Sequence, residues 1–417
     1  MSIDVAEVRR RFPALARTLR GLPVAYLDGP GGSQMVDSCI EGMAAYLRRG
    51  TANLGGAFVT AEETEQVVAE AREVAAALLG AQSSEVAFGQ STTALAFSVA
   101  AALGATWREG DNVVVTELDH RANVDPWIWA ARRAGAQVRW IPVDPEGLVL
   151  DLDGLDRLID ERTRLVAVGR ASNAVGTIND LGPVALAARS AGSLMAVDAV
   201  HAAPHIPLDM DDLGADVIFC SAYKFFGPHL GIVAIRQELF ERMEVAKVEP
   251  SPSSPPDKLE MGTQNHEGLA GLPGSIGFIA SLGTGVTLRE RVTSGMAEIR
   301  AWEDGLASRL RKELAAVPGL RPYWAGNGVE KTPTVTFRLE GYSPREVATH
   351  LARHGLFVED GNFYASTLDE RLGTRDSGGW VRAGLAPYTT PEEVAACHEC
   401  VARLAAEGNR TTDRPRG

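Results

Sequence analysis

The chain has 417 residues, 45% of them hydrophobic, and carries 41 Lys and Arg against 54 Asp and Glu for a net charge of −13. An acidic balance spread along the chain disfavours nucleic-acid and anionic-membrane partners, because phosphate recognition needs a basic face, and no apolar run reaches the roughly 18 residues of a membrane span. Four cysteines (Cys39, Cys220, Cys397, Cys400) are too few for a disulfide scaffold, and the length allows one large and one smaller domain.

In chain order, the opening "MSIDVAEVRRRFPAL" reads as an amphipathic helix capped by Asp4 rather than a secretory signal, which makes the cytoplasm the default location. "DGPGGSQ" (28–34) does not complete the dinucleotide-binding glycine pattern, and a tight turn is expected there. From about 85 to 235, short apolar runs alternate with helical stretches. Strands are expected at "EVAF", "NVVVTE", "QVRWI", "RLVAVG", "LMAVDAV", "DVIFC" and "GIVAIR", with crossover helices such as "TTALAFSVAAAL" and "GPVALAARSAG" between them. This is the pattern of an α/β fold: a mostly parallel seven-stranded sheet covered on both faces, with ligands at the carboxyl ends of its strands.

"SPSSPPDKLE" (251–260) marks a connector. Beyond it come a long helix at about 285–316, the strand "TPTVTFRL", and helices opened by Ser343-Pro344-Arg345-Glu346 and Thr390-Pro391-Glu392-Glu393. Each opening joins an N-cap hydroxyl, a proline at the first helical position and a glutamate at the third. A large domain over residues 20–280 is expected, with a small α+β domain from 1–19 and 281–410 and a frayed tail at 411–417.

The phosphate-loop, serine-hydrolase and HExxH zinc motifs are absent. "DAVHAAPH" offers Asp198, His201 and His205 as metal ligands, but Pro204 interrupts any helix that would align the histidines, and no metal is expected. Cys397 and Cys400 form a CxxC inside an amphipathic helical stretch, with no second ligand pair, and read as helical spacing. The strand ends say more. They lead into Asp119-His120, Ser172-Asn173, Asp198 and Ser221-Ala222-Tyr223-Lys224, so an imidazole, an amide, a carboxylate and an amine converge on one rim. A partly desolvated lysine amine has a lowered pKa and can bond to an aldehyde. Pyridoxal 5'-phosphate would account for the set: Lys224 for the aldehyde, Asp198 for the pyridine nitrogen, His120 to stack on the ring, and the helix start at Ser91, Thr92 and Thr93 for the phosphate.

From "VAYLDGPGGSQ" to "VRAGLAPYTTPEEV" the sequence resembles the class V aminotransferases, most closely their cysteine desulfurase-like branch. The resemblance implies the type I fold of pyridoxal-phosphate enzymes. It implies that Lys224 carries the cofactor, that Ser221, Tyr223 and Thr92, with Thr93 beside it, hold the phosphate, and that Asp198 and His120 contact the ring. Asn173 in "SNAVGT" matches the amide that reaches the ring oxygen, and His201 stands where desulfurases carry a glutamine. "EMGTQNHEG" resembles the segment that crosses a dimer interface, which implies a homodimer with a shared active site, Thr263 binding the neighbour's phosphate and His266 lining the substrate pocket. Arg382 in "WVRAGL" matches the guanidinium that clamps the substrate carboxylate; a domain-linking salt bridge is the plainer reading.

One departure governs the reaction. Desulfurases carry a nucleophilic cysteine where this chain has "LFVEDGNFYAST", with Tyr364 or a neighbour in its place, and "LGGAF" near residue 55 lacks an arginine often found there. A persulfide needs that thiol. The expected activity is therefore α-carbon chemistry on a small amino acid, as a β-eliminating C–S lyase or an aminotransferase. Epimerisation is the alternative within this chemistry, and a catalytically silent binding protein on the same fold is the alternative outside it. Asn362 and Tyr364 are expected in the substrate pocket, while Glu359 and Asp360 stand equally as pocket residues or solvated loop carboxylates.

Overall fold

The computed structural model describes residues 3–412. The first helix, α1 (Val5–Arg10), is capped by the Asp4 carboxylate, which accepts from the amides of Ala6 and Glu7. Helices α2 (Asp37–Arg49) and α3 (Val59–Leu79) precede the main sheet. There follow β1 (Val86–Gly89), α4 (Thr92–Gly104), β2 (Asn112–Thr116), α5 (Asp125–Ala134), β3 (Gln137–Ile141), β4 (Thr163–Gly169), α6 (Gly182–Ala191), β5 (Leu194–Asp198), β6 (Val217–Ser221) and β7 (Gly231–Ile235).

All seven expected strands join one sheet in the order β1-β7-β6-β5-β4-β2-β3. Every pairing is parallel except those of β7, which runs antiparallel to both neighbours. The unbroken apolar runs follow from burial on both faces. Val113, Val115, Phe219 and Val233 face one core with α4 and α5, while Val114, Ile218, Cys220 and Ile232 face the other with α3 and α6.

The second half begins with α7 (His266–Ser281), which packs on the α3 side of the sheet, and α8 (Leu288–Ala315). Then come β8 (Leu320–Pro322), β9 (Thr334–Leu339), α9 (Pro344–Arg353), β10 (Glu359–Gly361), α10 (Ser366–Arg371), β11 (Trp380–Gly384) and α11 (Pro391–Thr412). The four strands form an antiparallel sheet in the order β8-β9-β11-β10. Its core takes Val347 and Leu351 from α9 together with Val394, Cys397, Cys400 and Leu404 from α11. Cys397 and Cys400 are thus three residues apart on one buried helix face, which accounts for their spacing. Ala25 and Leu27 also pack in this core, and Ala25–Tyr26 pairs with Leu356–Phe357.

Helix α8 belongs to both cores: Val292, Met296 and Ile299 seal the larger, Leu306, Leu310 and Leu314 the smaller. Between them Glu303, fully buried, meets His205 Nδ1 at 2.8 Å. The capping boxes expected at Ser343 and Thr390 both form. Of the tail expected from 411, Thr411 and Thr412 still belong to α11, and residues 413–417 lie outside the described residues. Among the described residues no helix is long and apolar enough to cross a membrane.

Candidate active site

The carboxyl ends of β2, β4, β5 and β6 open into one cavity of about 510 Å³, closed from the other side by the β10–α10 loop and by Pro30 and Gly31. Ser91, Thr92, Thr93, His120, Asn173, Asp198, His201, Ser221, Tyr223, Lys224, Asn362, Tyr364 and Arg382 all line it. Thr263 and His266 do not. Thr263 is exposed in a separate groove beside Gln90 and Ala94, and His266 is buried at the start of α7.

Lys224 ends a single 3-10 turn after β6 and is 8% exposed. Its Nζ donates to the carbonyl of Pro30 and lies 5.0 Å from the centre of the Tyr223 ring. Burial is the main cause that lowers its pKa to about 7, Arg382 lowers it further, and Asp198, Asp28 and Glu359 oppose. Near neutral pH the amine is therefore partly unprotonated and nucleophilic.

Asp198 ends β5, and its Oδ1 accepts from the amide of Val200 at 2.8 Å. Burial raises its pKa to about 6. Behind it Asp119 is fully buried and accepts from Gly169 N and Asn123 Nδ2, each at 2.8 Å; burial, with Asp198 adding to it, lifts its pKa to about 7. His120 accepts the Ala122 amide at Nδ1 (3.0 Å), and burial followed by Lys224 lowers its pKa to about 4. It is a neutral, flat ring.

Ser91 caps α4 by accepting from Ala94 N at 3.1 Å. The amides of Thr92 and Thr93, in the first helical turn, have no intrahelical acceptor, an arrangement that favours an anion. Thr92 Oγ1 lies 2.6 Å from Ser221 Oγ, tying this helix start to the end of β6. Gly231 permits the approach, since a Cβ there would fall 2.3 Å from the Ser91 carbonyl carbon.

Arg382, on β11, is 3% exposed. Its Nη1 donates to the Asn173 carbonyl at 2.8 Å, and its guanidinium lies 3.8 Å from the centre of the Phe363 ring. Phe363 and Tyr364 have φ of 54° and 59°, unfavourable for bulky side chains. Hydrogen bonds hold this loop: Asn173 Nδ2 donates to Phe363 O at 2.8 Å, and Arg121 N to Tyr364 O at 2.9 Å. Tyr364, 72% exposed at the mouth, has its ring 5.3 Å from that of His120.

The donor set fits pyridoxal phosphate on grounds internal to this cavity. His201 Nδ1, Asn173 Oδ1 and Arg382 Nε are buried with no hydrogen-bond partner in residues that line it, beside a depressed lysine, a buried carboxylate and a free helix N-terminus. His201 Nε2 is engaged with the hydroxyls of Thr332 and Thr334, each at 3.0 Å. Asp28, Pro30, Gly31 and Phe363 carry no individual signal in the sequence. Asp28 does not line the cavity, but its bridge with Gly384 brings it close enough for its charge to act on Lys224, a placement that only the tertiary fold provides. The "DGPGG" turn was legible, as Gly31 N donates to Asp28 O at 2.7 Å, but its position over Lys224 was not.

A type I pyridoxal-phosphate fold with a cavity of this composition defines a class of enzymes, and comparison with known proteins agrees. The family model described as aminotransferase class-V matches residues 25–397. The chain belongs to the class V aminotransferase family: it is a pyridoxal-phosphate-dependent enzyme of lyase or transferase type. It is 31% identical to a cysteine desulfurase of Pectobacterium atrosepticum, over 94% of this chain and 96% of that one. A cysteine desulfurase of Escherichia coli O127:H6 is also 31% identical with the same coverage. Among solved structures, apo cysteine desulfurase from Thermococcus onnurineus NA1 superposes with a TM-score of 0.87 at 27% identity, covering 98% of this chain and 99% of that one. The cysteine desulfurase CsdA from Escherichia coli gives 0.84 at 28%, with the same coverage.

Proposed function

We propose that the protein is a β-eliminating C–S lyase acting on an amino acid with a free carboxylate, without a persulfide on the enzyme. The observation that carries this is the cavity's composition: a lysine amine poised near neutrality and a buried arginine are present, while none of Cys39, Cys220, Cys397 and Cys400 lines it.

Bound pyridoxal phosphate supplies an electron sink for the α-carbon. Asp198 would hold its carboxylate toward the pyridine nitrogen, His120 would offer a neutral face to the ring, and the Thr92 and Thr93 amides with Ser221 and Tyr223 would receive the phosphate. The bidentate preference of a guanidinium makes Arg382 the seat of the substrate carboxylate. Lys224 Nζ, mostly unprotonated above pH 7, accepts the α-proton. The β-substituent then leaves with its electron pair and is protonated; with no thiol in the cavity to take the sulfur, sulfide or a thiol is released, and the unsaturated amine left behind takes up water to give pyruvate and ammonia.

The assembly proposed is a homodimer. Thr263 lies outside its own cavity and is exposed beside Met261, free to serve a second subunit, and Phe97 and Trp129 form an exposed aromatic pair on the faces of α4 and α5. A reducing compartment such as the cytoplasm suits four unpaired cysteines.

The test is a panel of amino acids incubated with cofactor-loaded protein and followed for sulfide, pyruvate, other keto acids and loss of chirality. Release of sulfide or thiol with pyruvate, abolished by Lys224→Ala, supports the lyase. Exchange of solvent deuterium at the α-carbon without keto acid would replace it with epimerisation, and a protein that never acquires the cofactor's visible band would overturn both.

A further inference from the structure

The antiparallel register places Glu359 of β10 directly opposite Arg382 of β11. Cross-strand partners project from the same face of a sheet. Both side chains converge over Gly31: a Cβ built there would lie 3.7 Å from Glu359 Cγ and 3.8 Å from Arg382 Nη2. Yet the two do not pair, although cross-strand acid and base at this spacing ordinarily can. The guanidinium is engaged elsewhere, Nη1 on the Asn173 carbonyl and its plane on the Phe363 ring. Its Nη2 edge is left for a ligand's carboxylate.

The other acids of the cavity each have a partner or a reason to be neutral. Asp360 is paired with Arg345 at 3.1 Å, and Asp119 accepts two hydrogen bonds. Asp198 is buried, with a pKa raised to about 6 chiefly by that burial, and is the carboxylate that would face the pyridine nitrogen of bound pyridoxal phosphate. Once a substrate carboxylate occupies Arg382 and Lys224 has taken on its chemical role, Glu359 is the negative charge left over. It is solvent-accessible, lines the cavity and acts on Arg382 and Lys224 through its charge alone, and among the described residues its carboxylate makes no hydrogen bond or ion pair. The exposed Tyr364 ring stands at the same mouth, and an aromatic face there favours a cation rather than an anion.

We infer that Glu359 determines specificity, and that the substrate is an α-amino acid whose side chain ends in a cationic nitrogen, seated between the Glu359 carboxylate and the Tyr364 ring. This rests on the function proposed above and narrows it, from any small amino acid to one with a basic tail beyond the β-substituent.

The experiment uses three cysteine S-conjugates of similar size: S-(2-aminoethyl)cysteine, S-propylcysteine and S-carboxymethylcysteine. Each is mixed with cofactor-loaded protein in a stopped-flow cell, and an apparent dissociation constant is read from the concentration dependence of the early change in the cofactor's visible absorption, before product is released. The aminoethyl conjugate is expected to bind at least about ten-fold tighter than the propyl one, the carboxymethyl conjugate most weakly. Glu359→Gln should remove the preference, and Glu359→Arg should reverse it in favour of the carboxymethyl conjugate. Both variants must keep the wild-type cofactor band, which shows that they fold. Equal affinities for the three conjugates in the wild type would overturn the inference. So would uniform tightening in Glu359→Gln, since Glu359 would then merely compete for Arg382. A wild type with no cofactor band sinks instead the function proposed above.

Discussion

Capture of the cofactor by Lys224 should be fast at neutral pH, and Arg382 should be part of the reason. With a pKa lowered from 10.5 to about 7, roughly half of the amine is neutral at pH 7, against about 0.03% for an ordinary lysine, a gain on the order of a thousand-fold in the reactive form. Burial is the larger cause and the Arg382 charge the second. Arg382→Met removes only the second, so its inflection should move upward from about 7 but stay below that of a free lysine. The assay is stopped-flow mixing of cofactor-free protein with pyridoxal phosphate between pH 5.5 and 10, the aldehyde's own titration being subtracted with a small amine as reference. The wild-type rate should level off a little above pH 7. A plateau reached only above about pH 9 would refute the desolvated site, and a downward shift in Arg382→Met would refute the assigned role of its charge.

Three further outcomes follow from the packing around the site. Gly231→Ala sets a Cβ 2.3 Å from backbone atoms at the start of α4, so it should cost about 1–3 kcal/mol and shrink the rise in melting temperature that pyridoxal phosphate produces. Asp119 has its pKa raised from 3.8 to about 7. The folded state therefore holds a proton that the unfolded chain releases across that window, and this contribution to stability fades as pH rises. Asp119→Asn keeps a carbonyl to accept from Gly169 and Asn123, so it should gain on the wild type from pH 4 to 7, by at most about 4 kcal/mol in chemical denaturation. Glu303→Ala should lower stability by about 3–5 kcal/mol by stranding buried His205, and Glu303→Gln by about 1 kcal/mol, both read from denaturation midpoints.

Much of the sheet could be read from the chain because six of its seven strands are largely buried, the edge strand Gln137–Ile141 being the exception. "VVV" at 113–115 and "VIFC" at 217–220 are unbroken apolar runs bounded by polar turns, and they entered one sheet with the five other expected strands, among them "QVRWI", which Arg139 interrupts. The residues where those runs stop, His120, Asn173, Asp198 and Lys224, were legible for the same reason, since parallel strands end on a common rim. Glu359 was not decidable, because a carboxylate two residues before a loop tip looks the same whether it faces water or a cavity. Phe363 gave no signal at all: its approach to Arg382 depends on a left-handed backbone that the neighbouring residues enforce.

Local and periodic features were legible in the chain: the strands, the helix caps at Asp4, Ser343 and Thr390, the helix start at Ser91, and a lysine placed where a strand ends. These rest on interactions between residues near one another in the chain, or on burial that marks a whole segment. Which distant segments close the cavity follows from the packing of the whole chain. Pro30 reaches Lys224 from almost two hundred residues away, and Glu359 meets Arg382 through the register of an antiparallel ladder. A shift of that register by one residue would turn Glu359 to the opposite face, so its place in the site is a property of the pairing between strands and of neither strand alone.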